Sequence, residues 1–332
     1  YEVGTELRLF NNKIGVDATY YNTLNTDQII EGFRLSYGTG FVLNTQNAGS
    51  TRNQGVEISL DANPVRTRKF NWNIRFNFNH MWNEVIELPA NVAEYYLSDT
   101  WLYLNARGGL IKGGPTTTIT ANSYLRNNNG DILVNPANGF PLVSGAVFQV
   151  AGDRNPDFTL GTLNNLSFKN WRLSFLWDLK VGGDIYNGTN HYLTRVGKSL
   201  LTEDRFTPRV VKGVLRDGKE NTANPTPNNI VVIPAYNDAW YTNLPDQEFI
   251  EKDVNWLRLR DVTVSYTFPA QSLSYVRGIK SLGFFVTGND LVLITNYTGA
   301  DPSVNGVSAG SRGVGAFGFD YGTLPTPISL NV

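Results

Sequence analysis

Polar and apolar residues alternate along several long stretches of the chain. Residues 70–79 place Phe70, Trp72, Ile74, Phe76 and Phe78 on one side and Asn71, Asn73, Arg75, Asn77 and Asn79 on the other. Residues 171–181 set Trp171, Leu173, Phe175, Trp177, Leu179 and Val181 against Arg172, Ser174, Asp178 and Lys180. The same period of two runs through Ile14, Val16, Ala18 and Tyr20, and through Val56, Ile58, Leu60 and Ala62. Successive side chains of a β-strand point to opposite faces, so each stretch predicts a strand with one wet and one apolar face.

A soluble β-sandwich alternates too. Strand length argues against it. Globular strands average about 5–6 residues, whereas a membrane-crossing strand needs about 9–11, and several stretches here reach the longer figure. The connections alternate short and long: Asn11-Asn12, then 22–52; 64–69, then 84–153; Lys169-Asn170, then 183–250; 269–278, then 290–322. Compact soluble domains rarely repeat loops beyond about 12–15 residues, whereas outer-membrane barrels join short periplasmic turns to long extracellular loops. The pattern predicts an all-β fold, a fragment of a transmembrane antiparallel β-barrel. Strands near 3–10, 54–63, 157–168, 253–268 and 324–332 run toward the periplasm; those near 13–22, 70–83, 171–182 and 279–289 run away from it. The set of about nine strands is odd, with a periplasmic C-terminus, and does not close by itself.

Aromatic residues gather beside the short turns: Phe70 and Trp72, Phe168 and Trp171, Tyr266 and Phe268. That is where a periplasmic-side girdle belongs. One strand breaks phase. Val262, Val264, Tyr266 and Phe268 form an apolar series, but the same parity carries Arg258 and Arg260, while Leu257 and Leu259 fall on the other side. A β-bulge near Arg260-Asp261 would return both leucines to lipid and both arginines to the lumen; otherwise the upper half stands clear of the membrane. Asn73, Arg75, Asn77, Arg258 and Arg260 are the expected lumen-facing residues.

Composition agrees with a sheet between lipid and water. Charged residues are 17%, below the roughly 25% of soluble domains, aromatics reach 12%, and mean hydropathy is −0.25. The net charge of −1 offers no basic surface for nucleic acid. With Cys 0 the chain has no disulfide, thiolate metal site or cysteine nucleophile. No apolar run reaches the length of a membrane helix.

No catalytic constellation, cofactor motif or metal-ligand spacing emerges, so an enzyme is not expected. His80 closes an alternating stretch and reads as a lumen or rim residue in the asparagine series; His191 reads as an exposed loop residue. Asn127-Asn128-Asn129-Gly130-Asp131 lacks the alternating acids of a calcium loop and reads as a turn. The loop aromatics Tyr95, Tyr96, Trp101, Tyr103, Tyr236, Trp240 and Tyr241 have Asn and Asp neighbours. Such rings stack on sugars, pack on a partner protein, or pack the loops together; the sequence leaves all three open. Trp101, Tyr103, Tyr236, Trp240 and Tyr241 are the candidate extracellular contacts.

Four segments resemble SusC-type TonB-dependent transporters of Bacteroidota. They are Asn47-Ala48-Gly49 with Asn53-Gln54-Gly55-Val56-Glu57; Asn155-Pro156-Asp157-Phe158; Trp256-Leu257-Arg258-Leu259-Arg260-Asp261-Val262-Thr263-Val264-Ser265-Tyr266-Thr267-Phe268-Pro269; and Gly288-Asn289-Asp290-Leu291 followed by Thr295-Asn296-Tyr297-Thr298-Gly299-Ala300-Asp301-Pro302. They keep the family's order. The ending departs from it: Ile328 replaces the usual Arg after Leu324-Pro325-Thr326-Pro327, and no terminal aromatic follows. The resemblance implies that residues 1–332 form the C-terminal part of a barrel of about 22 strands, with the plug, the TonB-contacting segment and the N-terminal strands outside this sequence. It implies import of a glycan or peptide across the bacterial outer membrane, with a SusD-like lipoprotein as lid and TonB as energy source. A non-transporting scaffold barrel is the alternative expectation; whatever contacts loops 84–153 and 183–250 separates the two.

Overall fold

The computed structural model describes the chain apart from residues 35–42, 48, 90–91, 99–105, 146–148, 238, 276–277, 304–317, 321, 323 and 332. Its dominant feature is a nine-stranded antiparallel sheet in simple chain order. The strands are β1 (Glu2–Leu9), β2 (Ile14–Asn25), β3 (Ser50–Arg66), β4 (Phe70–Glu87), β5 (Phe158–Phe168), β6 (Trp171–Val181), β7 (Trp256–Thr267), β8 (Gly283–Thr295) and β9 (Ser329–Asn331). Each pairs only with its neighbours, so β1 and β9 are open edges among the described residues.

The register joins like face to like face across the whole sheet. Leu60 lies opposite Val16 and Phe76, and Phe76 opposite Thr162. On the other face Asp61 opposes Arg75, Ser59 opposes Asn77, and Ser174 opposes both Asn165 and Thr263. A slip of one residue would invert every side chain of a strand, so the apolar pattern fixes this register. Many apolar-face side chains are exposed in this chain, including Ile58, Phe168, Trp171, Val264, Phe284 and Ile294. A two-faced sheet with that much uncovered apolar surface suits a lipid solvent.

The apolar face has limits along the strand. In β3 it runs from Ala62 to Val56 and gives way to Gln54 and Arg52; in β4 it runs from Phe70 to Phe78. Nine residues of strand span roughly 30 Å before tilt, enough for the apolar band. With 17 residues in β3 and 18 in β4, the upper wall rises well beyond that band. His80 lies at this boundary but opposite Val56, on the apolar-face parity rather than in the asparagine series. Its ring packs on Trp82 at 4.8 Å and its Nδ1 meets the Asp157 carbonyl. One polar group intrudes lower down. Asn164 faces Ile74 and Phe175, is 7% exposed, and accepts a 3.1 Å hydrogen bond from the Trp72 indole. The indole thereby satisfies an amide that lipid could not.

Phase is corrected once in β7. Leu176 pairs with Asp261 and Trp177 with Leu259, and on the other side Leu259 pairs with Val292 and Asp261 with Asn289. Arg260 is the extra residue of a bulge. Leu257 and Leu259 therefore join the apolar face, and Arg258 the polar one.

The short connections are tight: Asn11 and Asn12 take φ of 57° and 62°, and Lys169 takes 54°. Beside the last turns, Trp171, Tyr266, Phe268 and Phe284 form one aromatic cluster with centroids 4.8–6.3 Å apart. Strands β3, β4 and β8 exceed their expected lengths, because ladder pairing continues where alternation has already lapsed. The last strand is shorter than 324–332, since Pro325 and Pro327 have no N–H to give the ladder.

Placing Arg at Phe175 should cost about 2–4 kcal/mol near the bilayer midplane, read as loss of folded protein in denaturant after reconstitution. Ser174→Arg, on the other face, should cost far less. Equal costs would contradict the face assignment.

Candidate functional site

Two regions gather polar chemistry: the upper polar face of β6–β8, and the long connections above it. On the wall, Arg258 is 2% exposed and its guanidinium meets Asp301 at 2.5 Å, Asp290 at 3.3 Å and Ser303 at 3.3 Å. Arg260 meets Asp178 at 3.0 Å and Asp290 at 3.6 Å. Both guanidinium groups lie near the Trp256 ring, at 5.9 and 5.2 Å. Asp301 also accepts from the Ser303 N–H at 2.8 Å, the Thr326 N–H at 3.2 Å and the Thr326 hydroxyl. One carboxylate thus anchors both ends of connection 296–328 to β7.

Burial pushes the Asp301 carboxyl up, but the hydrogen bonds from Thr326 and Ser303 and the Arg258 charge outweigh it and hold its pKa below the ordinary value. The indole N–H of Trp256 and the Nε–H of Arg258 are buried without an acceptor among the described residues. The node has donor capacity beyond its own needs.

Farther along the same face, on β2–β5, Asp17, Thr19, Glu57, Ser59, Asn77 and Asn79 line an open hollow of about 490 Å³. Asn79 donates to Glu57 at 3.3 Å, Ser59 to Asn77 at 3.1 Å, and Arg75 grips Asp61 at 2.8 and 3.2 Å. Asn73, Arg75, Asn77, Arg258 and Arg260 thus share one polar face. Gly55, opposite Tyr21 on this side, leaves room for the Tyr21 ring, which a Cβ there would run into.

The long connections interlock. Leu133–Val134 pairs in parallel with Val214–Leu215, and Asn127 donates to the Glu220 carbonyl at 2.9 Å. Asn122 accepts from the Asp246 N–H at 2.7 Å. Ile185–Asn187 pairs with both Ile250–Glu251 and Phe319–Asp320, which brings in the third connection. Tyr297 donates to Asp320 at 2.7 Å. Arg154, 4% exposed, donates to the Thr117 carbonyl at 3.0 Å and lies 5.3 Å from the Phe319 ring; burial lowers its pKa to about 10, against the pull of Asp153.

Several loop residues differ from their sequence reading. His191 is not exposed: it is 2% accessible, stacks on Phe249 at 3.9 Å, and contacts Tyr186 at 2.9 Å and Asp246 at 3.3 Å. Trp240 is buried against Phe140 and Val232, and Tyr241 packs beside it, so these rings hold the loops together. Tyr236 is 75% exposed, in edge contact with Phe206. Trp101 and Tyr103 lie outside the described residues. At 127–131 the Asn127 side chain accepts from the N–H groups of Asn129 and Asp131, which is a turn. No cluster of metal-ligating side chains occurs among the described residues.

A wall of alternating faces under a cap of interlocked loops defines a barrel-type membrane protein. No family model matches the chain. Over 98% of its length it is 26% identical to TonB-dependent receptor P3 of Formosa agariphila, covering 32% of that relative. Against TonB-dependent receptor SusC of Bacteroides thetaiotaomicron it is 25% identical over 93% of the chain and 30% of the relative. The fold matches the RagAB peptide importer in its closed-closed state with a TM-score of 0.67 at 18% identity, over 99% of this chain and 34% of that one. The chain is similar to SusC and other TonB-dependent receptors over nearly its whole length, and spans about a third of the length of the curated relatives it matches. These relatives are receptors and transporters, not enzymes.

Asp301→Asn should release connection 296–328 from the wall. Hydrogen bonds to charged groups contribute about 1.5–3 kcal/mol, so amides at 296–303 should exchange markedly faster while those of β4 and β5 do not change. The depressed pKa gives the sign with pH. The anchor is complete above the ordinary carboxylate value of 3.8 and is lost as pH falls through the lower folded value. A fall in the protection of this segment between pH 5 and 8, beyond the intrinsic base-catalysed rise in exchange, would contradict the assignment.

Proposed function

We propose that the chain is barrel wall and extracellular cap of a TonB-dependent importer of the bacterial outer membrane. The observation that carries this reading is the single polar face running across all nine strands, opposite an exposed apolar one, in a chain similar to SusC. The polar face, with Asn73, Arg75, Asn77, Arg258 and Arg260, lines the lumen; the short turns and the C-terminus are periplasmic and the long loops extracellular. Strands outside 1–332 pair with β1 and β9, because unpaired backbone in lipid costs several kcal/mol per group. Energy coupling through TonB and a plug also belong outside this segment.

The cargo is a small glycan or peptide. Carboxylates and amides along the hollow suit a solute rich in hydroxyl or amide groups. A lipoprotein lid of the SusD kind docks on the cap. Of the candidate contacts among the described residues, Tyr236 offers the most surface, since Trp240 is already engaged. Phe206, Leu200 and Leu201 extend the exposed apolar area around it, at 67%, 81% and 58% exposure.

Removing residues 220–245 would also strip Val232 and Trp240 from the loop core, so point changes test the cap more cleanly. Tyr236→Ala with Phe206→Ala, in the full-length protein, should weaken co-purification of the lid and slow cargo uptake several-fold, leaving membrane insertion intact. If docking and uptake both persist at the original level, this part of the cap is not the lid surface.

A further inference from the structure

The short end of the wall carries only positive charge. Residues 10–13, 67–69, 169–170 and 268–282 include lysine or arginine in every connection and no aspartate or glutamate. The two middle turns lie side by side, the Lys169 N–H donating to the Lys69 carbonyl at 2.9 Å. Arg68, Lys69 and Lys169 are exposed, and none forms an ion pair among the described residues. The Lys169 ammonium lies 5.4 Å from the Phe168 ring. Phe168 belongs to the apolar face and is 49% exposed, as is its partner Trp171 at 46%. The ammonium therefore stands on the side of the wall that faces lipid, at the edge of the aromatic cluster. Lys169 also holds a positive φ, where glycine or asparagine would sit without strain.

We propose that Arg68, Lys69 and Lys169, with the rings of Phe168 and Trp171 beneath them, form a binding site for the phosphate headgroup of an anionic phospholipid in the leaflet at the short-turn end. The inference rests on the reading of the sheet as a membrane wall. The chemistry is a phosphodiester held by several unpaired cations above an apolar belt that takes the acyl chains. Lysine supplies compact charge and arginine a two-pronged donor. The occupant is a lipid rather than a free anion because charge and exposed apolar surface are continuous there. Charge alone would bind any phosphate, whereas the belt adds affinity only for a molecule with tails. Lys13 and Lys280, exposed in the flanking turns, extend the same field along the rim.

The test uses the full-length protein purified in mild detergent and native mass spectrometry of retained lipid. Phosphatidylglycerol and phosphatidylcholine with identical chains are offered in equal amounts. Wild type should retain phosphatidylglycerol over phosphatidylcholine by about tenfold or more, since each cation near an anionic surface adds roughly fivefold at most. The R68Q/K69Q/K169Q variant should retain both lipids about equally. An R68K/K69R/K169R variant keeps the charge and should keep the preference, which separates loss of the site from loss of fold. K198Q/K219Q, altered at the long-loop end, should behave as wild type. The proposal is overturned if the neutral variant keeps the preference, if the long-loop variant loses it equally, or if equimolar inorganic phosphate displaces the lipid. A protein that stays folded without detergent and retains neither lipid would instead overturn the membrane-wall reading itself.

Discussion

Everything in this molecule depends on one antiparallel ladder keeping its two faces separate through nine strands. Backbone pairing fixes each strand's face relative to the next, so a single error would place charge in the apolar belt along a whole strand. The register preserves the faces even where the sequence drifts. The Arg260 bulge absorbs the parity break in β7, turning two leucines to the apolar face and Arg258 to the polar one. Trp72 plays a smaller part of the same kind by closing over Asn164.

The bulge also couples wall to cap. By delivering Arg258 to the polar face it creates the partner for Asp301, and Asp301 in turn holds both ends of connection 296–328. Two of the segments that carry the family resemblance, around Arg258-Leu259-Arg260 and Ala300-Asp301-Pro302, are the ones that meet in this node. Their spacing in sequence has a physical reason: one supplies a buried cation, the other the carboxylate that neutralises it. The same connection reaches Tyr186 and Thr189 through Phe319 and Asp320, so the wall node and the loop core form one assembly.

The strands were legible because each is a local pattern of period two, readable without knowing what lies beside it. The bulge was legible for the same reason, as a clash of parity between Leu257–Leu259 and Val262–Val264. Strand ends were less so, since pairing extends β3 and β4 beyond the apolar pattern. His80 shows how a parity can be miscounted where alternation ends. The cap was largely hidden. His191 is buried by Phe249, Tyr186 and Asp246, partners from distant positions that no periodicity announces. Trp240 reads the same in sequence whether it meets a partner protein or Phe140. The Arg258–Asp301 pair was present only as two separate motifs.

Because the chain has no cysteine, the faces are open to single-cysteine scanning of β7 in the full-length protein reconstituted in bilayers. Cysteines placed singly at 257, 259, 262 and 264 should react with a bilayer-confined reagent, and those at 261, 263 and 265 with a water-soluble one. The odd-numbered lipid positions below the bulge thus give way to even-numbered ones above it in sequence. A single unbroken parity from 257 to 264, or lipid reactivity at 261 and 263, would contradict the two-faced wall on which this account rests.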